Sequence, residues 1–238
     1  MEKIIENFEK AGKIVGIKKT TIMNYTNKII DWRYTGNKIQ NLSPSVVEET
    51  PSGNLISYDI YTRLLKDRVM FFGHPVMDEV TNVVIAQLLF LEMTDSKKDI
   101  TMYLNSPGGS CDAGLSVVNT MQYITPDVSV VAIGMAASMG AVLLACGAKG
   151  KRFALKDTRV MIHQPSGSMN GKSSAIEIDW EEMKKVKKRL YELLAEQSGQ
   201  TFEAIEAKSK EDFWMSAAEA KSEGFIDEVL EKRPTSTN

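Results

Sequence analysis

Cysteine and histidine are both scarce in this 238-residue chain, with two of each. The two thiols, Cys111 and Cys146, have no paired spacing. They favour free cysteines in a reducing compartment over a disulfide framework. Two cysteines with two histidines also make no recognisable zinc cluster. Long apolar runs are missing as well: stretches such as Val128–Ile133 and Ala141–Cys146 fall far short of the ~20 residues that span a bilayer. No hydrophobic leader precedes a small-residue cleavage site, so no secretory signal is expected. Net charge is only -2, which gives no reason to expect nucleic acid or an anionic membrane as partner. Any histidine chemistry must use His74 or His163.

What is present describes a globular fold. Hydrophobic residues make up 43% and charged residues 25%, enough for a chain of this length to bury a core without metal or disulfides. Residues 1–42 stand apart. They carry eight Lys/Arg against four Asp/Glu, which leaves the rest of the chain at about -6. Their acidic residues argue against an organellar transit peptide, and the expectation is a flexible extension or removable propeptide. The division expected is therefore an extension (1–42), one domain (43–231) and a short tail (232–238).

From Tyr58 onward helical and strand patterns alternate. Helices are expected over Tyr58–Lys66, from an Asp78 N-cap onward with Val80, Val83, Val84, Gln87, Leu88 and Leu91 on one side, over about Asp112–Tyr123, over Ala137–Cys146, over about Ser174–Gln197, and in two shorter segments after it. Strands are expected at Val69–Phe72, Ile100–Leu104, Val128–Ile133, Arg159–Ile162 and Phe225–Val229. Thr50-Pro-Ser-Gly-Asn54 reads as an exposed turn. This alternation calls for an α/β fold with a largely parallel sheet, whose chemistry gathers beyond the carboxyl ends of the strands.

Three segments at such ends could carry chemistry. Gly134-Met-Ala-Ala-Ser138-Met-Gly140 follows a buried strand and opens a helix, which lifts a serine above the sheet beside helix N-terminal amides. It is not a Gly-x-Ser-x-Gly elbow, since Ala136 stands where the first glycine would be, and a packing or capping serine reads equally simply. Ser106-Pro-Gly-Gly109 can aim backbone N–H groups at an oxyanion, or can be a tight turn. His163 ends the strand Arg159-Val-Met-Ile-His163, where it is a base or a core histidine. Asp212, in Lys210-Glu-Asp-Phe-Trp214, is a surface acid or the partner that orients a base. His74, in Gly73-His74-Pro75, reads as solvated. The lysines at 184, 185, 187 and 188 read as a solvated face.

Several of these segments together resemble the ClpP family, the proteolytic subunits of the Clp protease (peptidase family S14). They are Ser106-Pro-Gly-Gly-Ser110, the segment around Ser138, Gly147-Ala-Lys-Gly-Lys-Arg-Phe153 and Val160-Met-Ile-His-Gln-Pro165. Tyr58-Asp-Ile-Tyr-Thr-Arg-Leu-Leu-Lys-Asp67 and Ala217-Ala-Glu-Ala-Lys221 with Gly224 and Ile226-Asp227 extend the likeness over about Ser43–Leu230. The resemblance implies a crotonase-like fold of repeated β-β-α units with a protruding handle helix. It implies Ser138 as nucleophile, His163 as base and Asp212 as triad acid, with the amides of Gly109 and Met139 as oxyanion hole.

It further implies two stacked heptamers forming a chamber for unfolded polypeptides, fed by a hexameric Clp-family ATPase that docks near Tyr103. No cofactor is implied, ATP being used by the partner, and the location is cytoplasmic. By the same likeness, helix Ser174–Gln197 is the handle, and Gln164–Ser173 lies along the substrate cleft. Lys210-Glu211 reverses the polarity of an Asp-Arg pair that precedes the acid in the family. Two other readings use the same features: a crotonase-type acyl-CoA hydratase or isomerase, and a non-catalytic ring subunit. A serine–lysine peptidase shares the Ser-Pro-Gly-Gly turn but would not need His163.

Overall fold

The computed structural model describes residues 44–232; the extension expected over 1–42 and most of the tail lie outside the described residues. The chain divides into two compact units, the first ending at Asp59 and the second beginning at Ile60. In the first unit, β1 (Ser45–Glu49) and β2 (Leu55–Asp59) form an antiparallel hairpin across the expected Thr50–Asn54 turn. Gly53 turns it at φ +82°, a conformation glycine adopts without a Cβ penalty. The helix expected from Tyr58 is therefore shorter. Tyr58 and Asp59 pair with Val46 and Ser45 in the hairpin, and α1 spans Ile60–Lys66.

The second unit is an α/β fold. Its elements are β3 (Val69–Phe72), α2 (Asp78–Thr94), β4 (Ile100–Ser106), α3 (Cys111–Tyr123), β5 (Val128–Ala137) and α4 (Met139–Ala145). They continue with β6 (Arg152–Leu155), β7 (Arg159–Ile162), α5 (Ser173–Ser198), α6 (Phe202–Lys208), β8 (Phe213–Ser216), α7 (Ala217–Ser222) and β9 (Glu228–Leu230). The sheet runs β3-β4-β5-β6-β9 in parallel, and β7 leaves this path to pair parallel with β5 and antiparallel with β8.

Three expectations shift by a few residues. Asp78 is the first helical residue of α2, not its cap; Met77 holds the cap position without a side-chain bond, while Asp78 and Glu79 face the positive end of the helix dipole. Val83, expected on the buried stripe of α2, is exposed, and the inward residues are Thr81, Val84, Leu88 and Leu91. The last strand begins at Glu228, since the buried Phe225 and Ile226 donate their N–H groups back to Ala220 O at 2.9 and 3.4 Å and so belong to the turn that precedes it. Four strands without expectation from the pattern, β1, β2, β6 and β8, are four or five residues long.

β5 is the axis of the sheet and it divides its partners. Val130–Ala132 pair with β6, and Met135–Ala137 pair with β7. Between them the register with β4 jumps from Leu104↔Ala132 to Ser106↔Ala136, an irregularity that redirects the strand. Asn105 plugs the irregularity: its Oδ1 accepts from Met135 N–H at 3.0 Å. A Cβ on Gly134 would lie 2.8 Å from that oxygen, so only glycine leaves it room. The core is apolar around α4, all seven of whose residues are buried, a reason for its lack of any polar face.

α5 is 26 residues long, and its buried residues are confined to its C-terminal half, at Leu190, Tyr191, Leu193 and Leu194. Its N-terminal half projects, leaving Ile178 64% and Trp180 52% exposed. Gly199, at φ +76°, closes it with a left-handed cap.

Far from the strand ends that carry the chemistry-bearing residues, Arg152 and Asp227 tie β6 to the turn before β9. The Arg152 side chain is 6% exposed; its Nη2 and Nε donate to Asp227 at 2.6 and 3.0 Å, and Nη1 donates to Gln197 O at 2.8 Å. Burial pushes the Asp227 carboxyl up, but the Arg152 guanidinium and backbone N–H outweigh it and hold it below its ordinary value of 3.8. Its contribution to stability is therefore full above that value and lost as pH falls below it. Asp227→Ala is expected to destabilise by about 3–5 kcal/mol, because it strands a buried guanidinium. Thermal denaturation at pH 7 checks this, and the difference from wild type should narrow below pH 4.

Candidate active site

Strand register assembles this site. Ala137 is paired with Met161 of β7, and the next amide along, Ser138 N–H, donates to Met161 O at 2.8 Å. The serine thus emerges beside the end of β7, where His163 follows Ile162. On the other side, β7 and β8 pair antiparallel with Ile162 opposite Phe213, so one further step places His163 opposite Asp212. Three residues separated by 25 and 49 positions meet because two strand pairings end at the same level.

The side chains complete the arrangement. His163 Nε2 lies 2.8 Å from Ser138 Oγ, and His163 Nδ1 lies 2.9 Å from Asp212 Oδ1. With the proton on Nδ1, that nitrogen donates to the carboxylate and Nε2 is free to accept from the serine hydroxyl. The histidine side chain is 27% exposed and the aspartate 60%.

Ser138 is held at φ 55°, ψ -123°, and shares a positive φ with only one other non-glycine among the described residues, Arg68. Such a conformation costs on the order of 1–3 kcal/mol and persists where surrounding structure imposes it. Here the imposition is visible. The serine is the last residue before α4, its N–H is anchored on Met161, and its carbonyl already accepts from Ala141 at 2.9 Å. Its side chain makes no cap bond, which leaves the hydroxyl to His163.

The Ser106–Gly109 turn packs directly against this corner. Gly108, at φ +90°, has no room for a side chain: a Cβ would stand 2.6 Å from Ser138 Cβ and 2.9 Å from Met139 N. Gly109, at φ +150°, bridges to Val76, with Val76 N–H donating to Gly108 O and Ser110 N–H donating to Val76 O, each at 2.9 Å. The Gly109 amide takes no part in that bridge. Met139 is the first residue of α4, where an amide has no intrahelical acceptor. Ser106, fully buried, fixes the turn from beneath: its Oγ donates to His74 O at 2.7 Å and accepts from Gly108 N–H at 3.2 Å. His74 itself is exposed, and its carbonyl, not its ring, serves the site.

Beside the serine hydroxyl is a small pocket walled by Met139, Val142, Ile162, Pro165 and Leu190, with Cys111 at its edge. Burial and the neighbouring Asp112 charge push the Cys111 thiol up, and burial pushes Cys146 up to about 12, so both thiols are protonated at neutral pH. Tyr103 lies elsewhere in the second unit, on β4, stacked on Phe71 with ring centroids 5.3 Å apart; Phe71 in turn meets Tyr61 edge-on. Among the described residues there is no group of three or more His, Cys, Asp or Glu side chains able to hold a metal ion, and no helix long and apolar enough to cross a membrane.

The family model of the Clp protease matches residues 52–233 of this chain. The chain belongs to the Clp protease family. That match covers every element of the second unit, and its mixed α/β architecture with a largely parallel sheet accords with the family fold. A peptidase-type chain is thus the coarse functional assignment. Sequence reasoning named Ser138, His163, Asp212, Gly109 and Met139, and the structure brings all five to one corner. It leaves Tyr103 apart from them. Sequence reasoning did not single out Asn105 as the plug at the irregularity in β5, or Ser106 as the support of the turn. The polar pair that follows the apolar run Ile100–Leu104 was the available signal for both.

Proposed function

We propose that this Clp protease family chain is a serine endopeptidase. The observation that carries this reading is the unbroken Ser138–His163–Asp212 hydrogen-bonded chain with two amide-bearing turns beside the hydroxyl.

In this mechanism His163 Nε2 removes the Ser138 proton as Oγ attacks a peptide carbonyl. Asp212 holds the Nδ1–H tautomer and stabilises the imidazolium. The carbonyl oxygen gains negative charge and is met by the Gly109 and Met139 amides, each such donor contributing about 2.7–4 kcal/mol to the transition state. Collapse of the tetrahedral intermediate breaks the C–N bond, and the imidazolium gives its proton to the leaving amine. Water, deprotonated by His163, then attacks the acyl-serine, releasing the new carboxylate and restoring the hydroxyl. The apolar pocket beside Ser138 suits an apolar substrate side chain, and the chemistry requires no cofactor.

The finer reading is a subunit of an ATP-dependent Clp endopeptidase: two stacked heptamers, with a Clp-family hexameric ATPase delivering unfolded polypeptide, in the cytoplasm. The projecting half of α5 with exposed Ile178 and Trp180 supports a ring-to-ring contact, and the Tyr61–Phe71–Tyr103 aromatic group supports a docking pocket. The test is degradation of an unfolded polypeptide by the purified chain, with and without such an ATPase and ATP. Conversion to short peptides is expected, with folded substrates cut only when the ATPase and ATP are present. An assembled ring that cleaves neither polypeptides nor short peptides would leave the non-catalytic subunit as the better account.

Gly108 provides a separate check. Gly108→Ala is expected to displace the turn from Ser138 and lower kcat for a short peptide by about 10²–10³-fold, the scale of one lost oxyanion donor. A steady-state assay on the assembled variant measures it.

A further inference from the structure

The segment between α6 and β8 carries Asp212 at its end, and one residue outside the triad holds its beginning. Gln164 directly follows His163. Its backbone N–H donates to Ser209 O at 2.7 Å, and its side-chain Nε2 donates to Lys210 O at 2.9 Å. Ser209 is itself fully buried, and its N–H closes α6 on Ile205 O at 2.9 Å. At the far end, Phe213 is paired with Ile162. Residues 210–212 are therefore a short span tied at both ends to the strand of His163 and its immediate continuation. The Asp212 side chain is 60% exposed, so packing does not fix it. Its position follows from its backbone, and the backbone from these anchors.

We propose that Gln164 is a positioning residue for Asp212: the bond from its side-chain amide to the Lys210 carbonyl keeps the carboxylate within reach of His163 Nδ1. This inference rests on the peptidase reading above. Gln164 donates to neither catalytic side chain, and its side-chain bond to Lys210 O leads to Asp212 through the loop. Its side chain is exposed, so removing it opens no cavity in the core.

The experiment measures the rate at which a fluorophosphonate acylates Ser138 in the full-length assembled protein. Four forms are compared: wild type, Gln164→Ala, Asp212→Ala and the double variant. Gln164→Ala should slow acylation by about tenfold, the scale of one hydrogen bond. In the Asp212→Ala background the same change should alter the rate by less than about twofold, since groups acting through one another are not additive. Gln164→Glu, equal in size but without the donor, should slow wild type at least as much, with Tm unchanged. Equal slowing in both backgrounds, or a Gln164→Ala rate matching wild type, overturns this proposal alone. A wild type that is not acylated at all overturns the peptidase reading and this proposal with it.

Discussion

Replacing His163 with alanine is expected to lower kcat/KM for a short peptide by roughly a million-fold, and Ser138→Ala by a similar factor. Groups that act as one unit fail together, so either loss approaches the loss of the whole constellation. The physical reason lies in the 2.8 Å contact between His163 Nε2 and Ser138 Oγ. A serine hydroxyl is a weak nucleophile at neutral pH, and without an acceptor for its proton the attack has nowhere to send the charge. No other histidine can substitute, since His74 is exposed and meets the site through its carbonyl alone. The double variant Ser138→Ala/His163→Ala should be little worse than either single one. Stopped assays on assembled protein at high enzyme concentration measure all three.

The second large effect is expected at Asp212. Asp212→Asn should reduce kcat by about 10⁴-fold, the loss known for a triad whose acid becomes an amide. The carboxylate is 60% exposed, so solvent screens much of its charge, and electrostatics alone would predict a modest effect. Tautomer control decides the magnitude. An asparagine can present its N–H groups to Nδ1, which then accepts and moves the ring proton to Nε2, the atom that must receive the serine proton. Because the side chain is exposed, Tm should not change, and the defect should lie in kcat rather than KM. Steady-state kinetics with parallel thermal denaturation separate these possibilities.

Much of this site was legible in the sequence, for identifiable reasons. Strongly periodic or apolar segments such as Ile100–Leu104 and Val128–Ile133 declared their strands, and Ser138 and His163 lay just beyond such segments. Position at a strand end is a one-dimensional signal. The convergence of Asp212 was not legible from the pattern alone, because it depends on β8. That strand, Phe213-Trp-Met-Ser216, is too short for alternation to register, and only Met215 within it is buried. The resemblance to a family supplied the acid; the antiparallel register with β7 supplies its physical reason.

Likewise, β5 runs four residues beyond the expected Ile133, through a glycine and two alanines with little strand propensity of their own. Pairing with β7 and the Asn105 plug hold it extended, which is a tertiary effect that no local pattern announces. The unusual backbone of Ser138 is of the same kind. Its φ of 55° is imposed by the Met161 anchor and the start of α4, and nothing in Ala-Ala-Ser-Met predicts it.

Fluorophosphonate labelling followed by mass mapping of the adduct tests the central claim most directly, because it reads the activated hydroxyl itself and needs no partner or substrate. One adduct per chain is expected, on Ser138, absent from Ser138→Ala and nearly absent from His163→Ala. An adduct on another residue, or one on Ser138 that forms equally fast without the His163 imidazole, would contradict it.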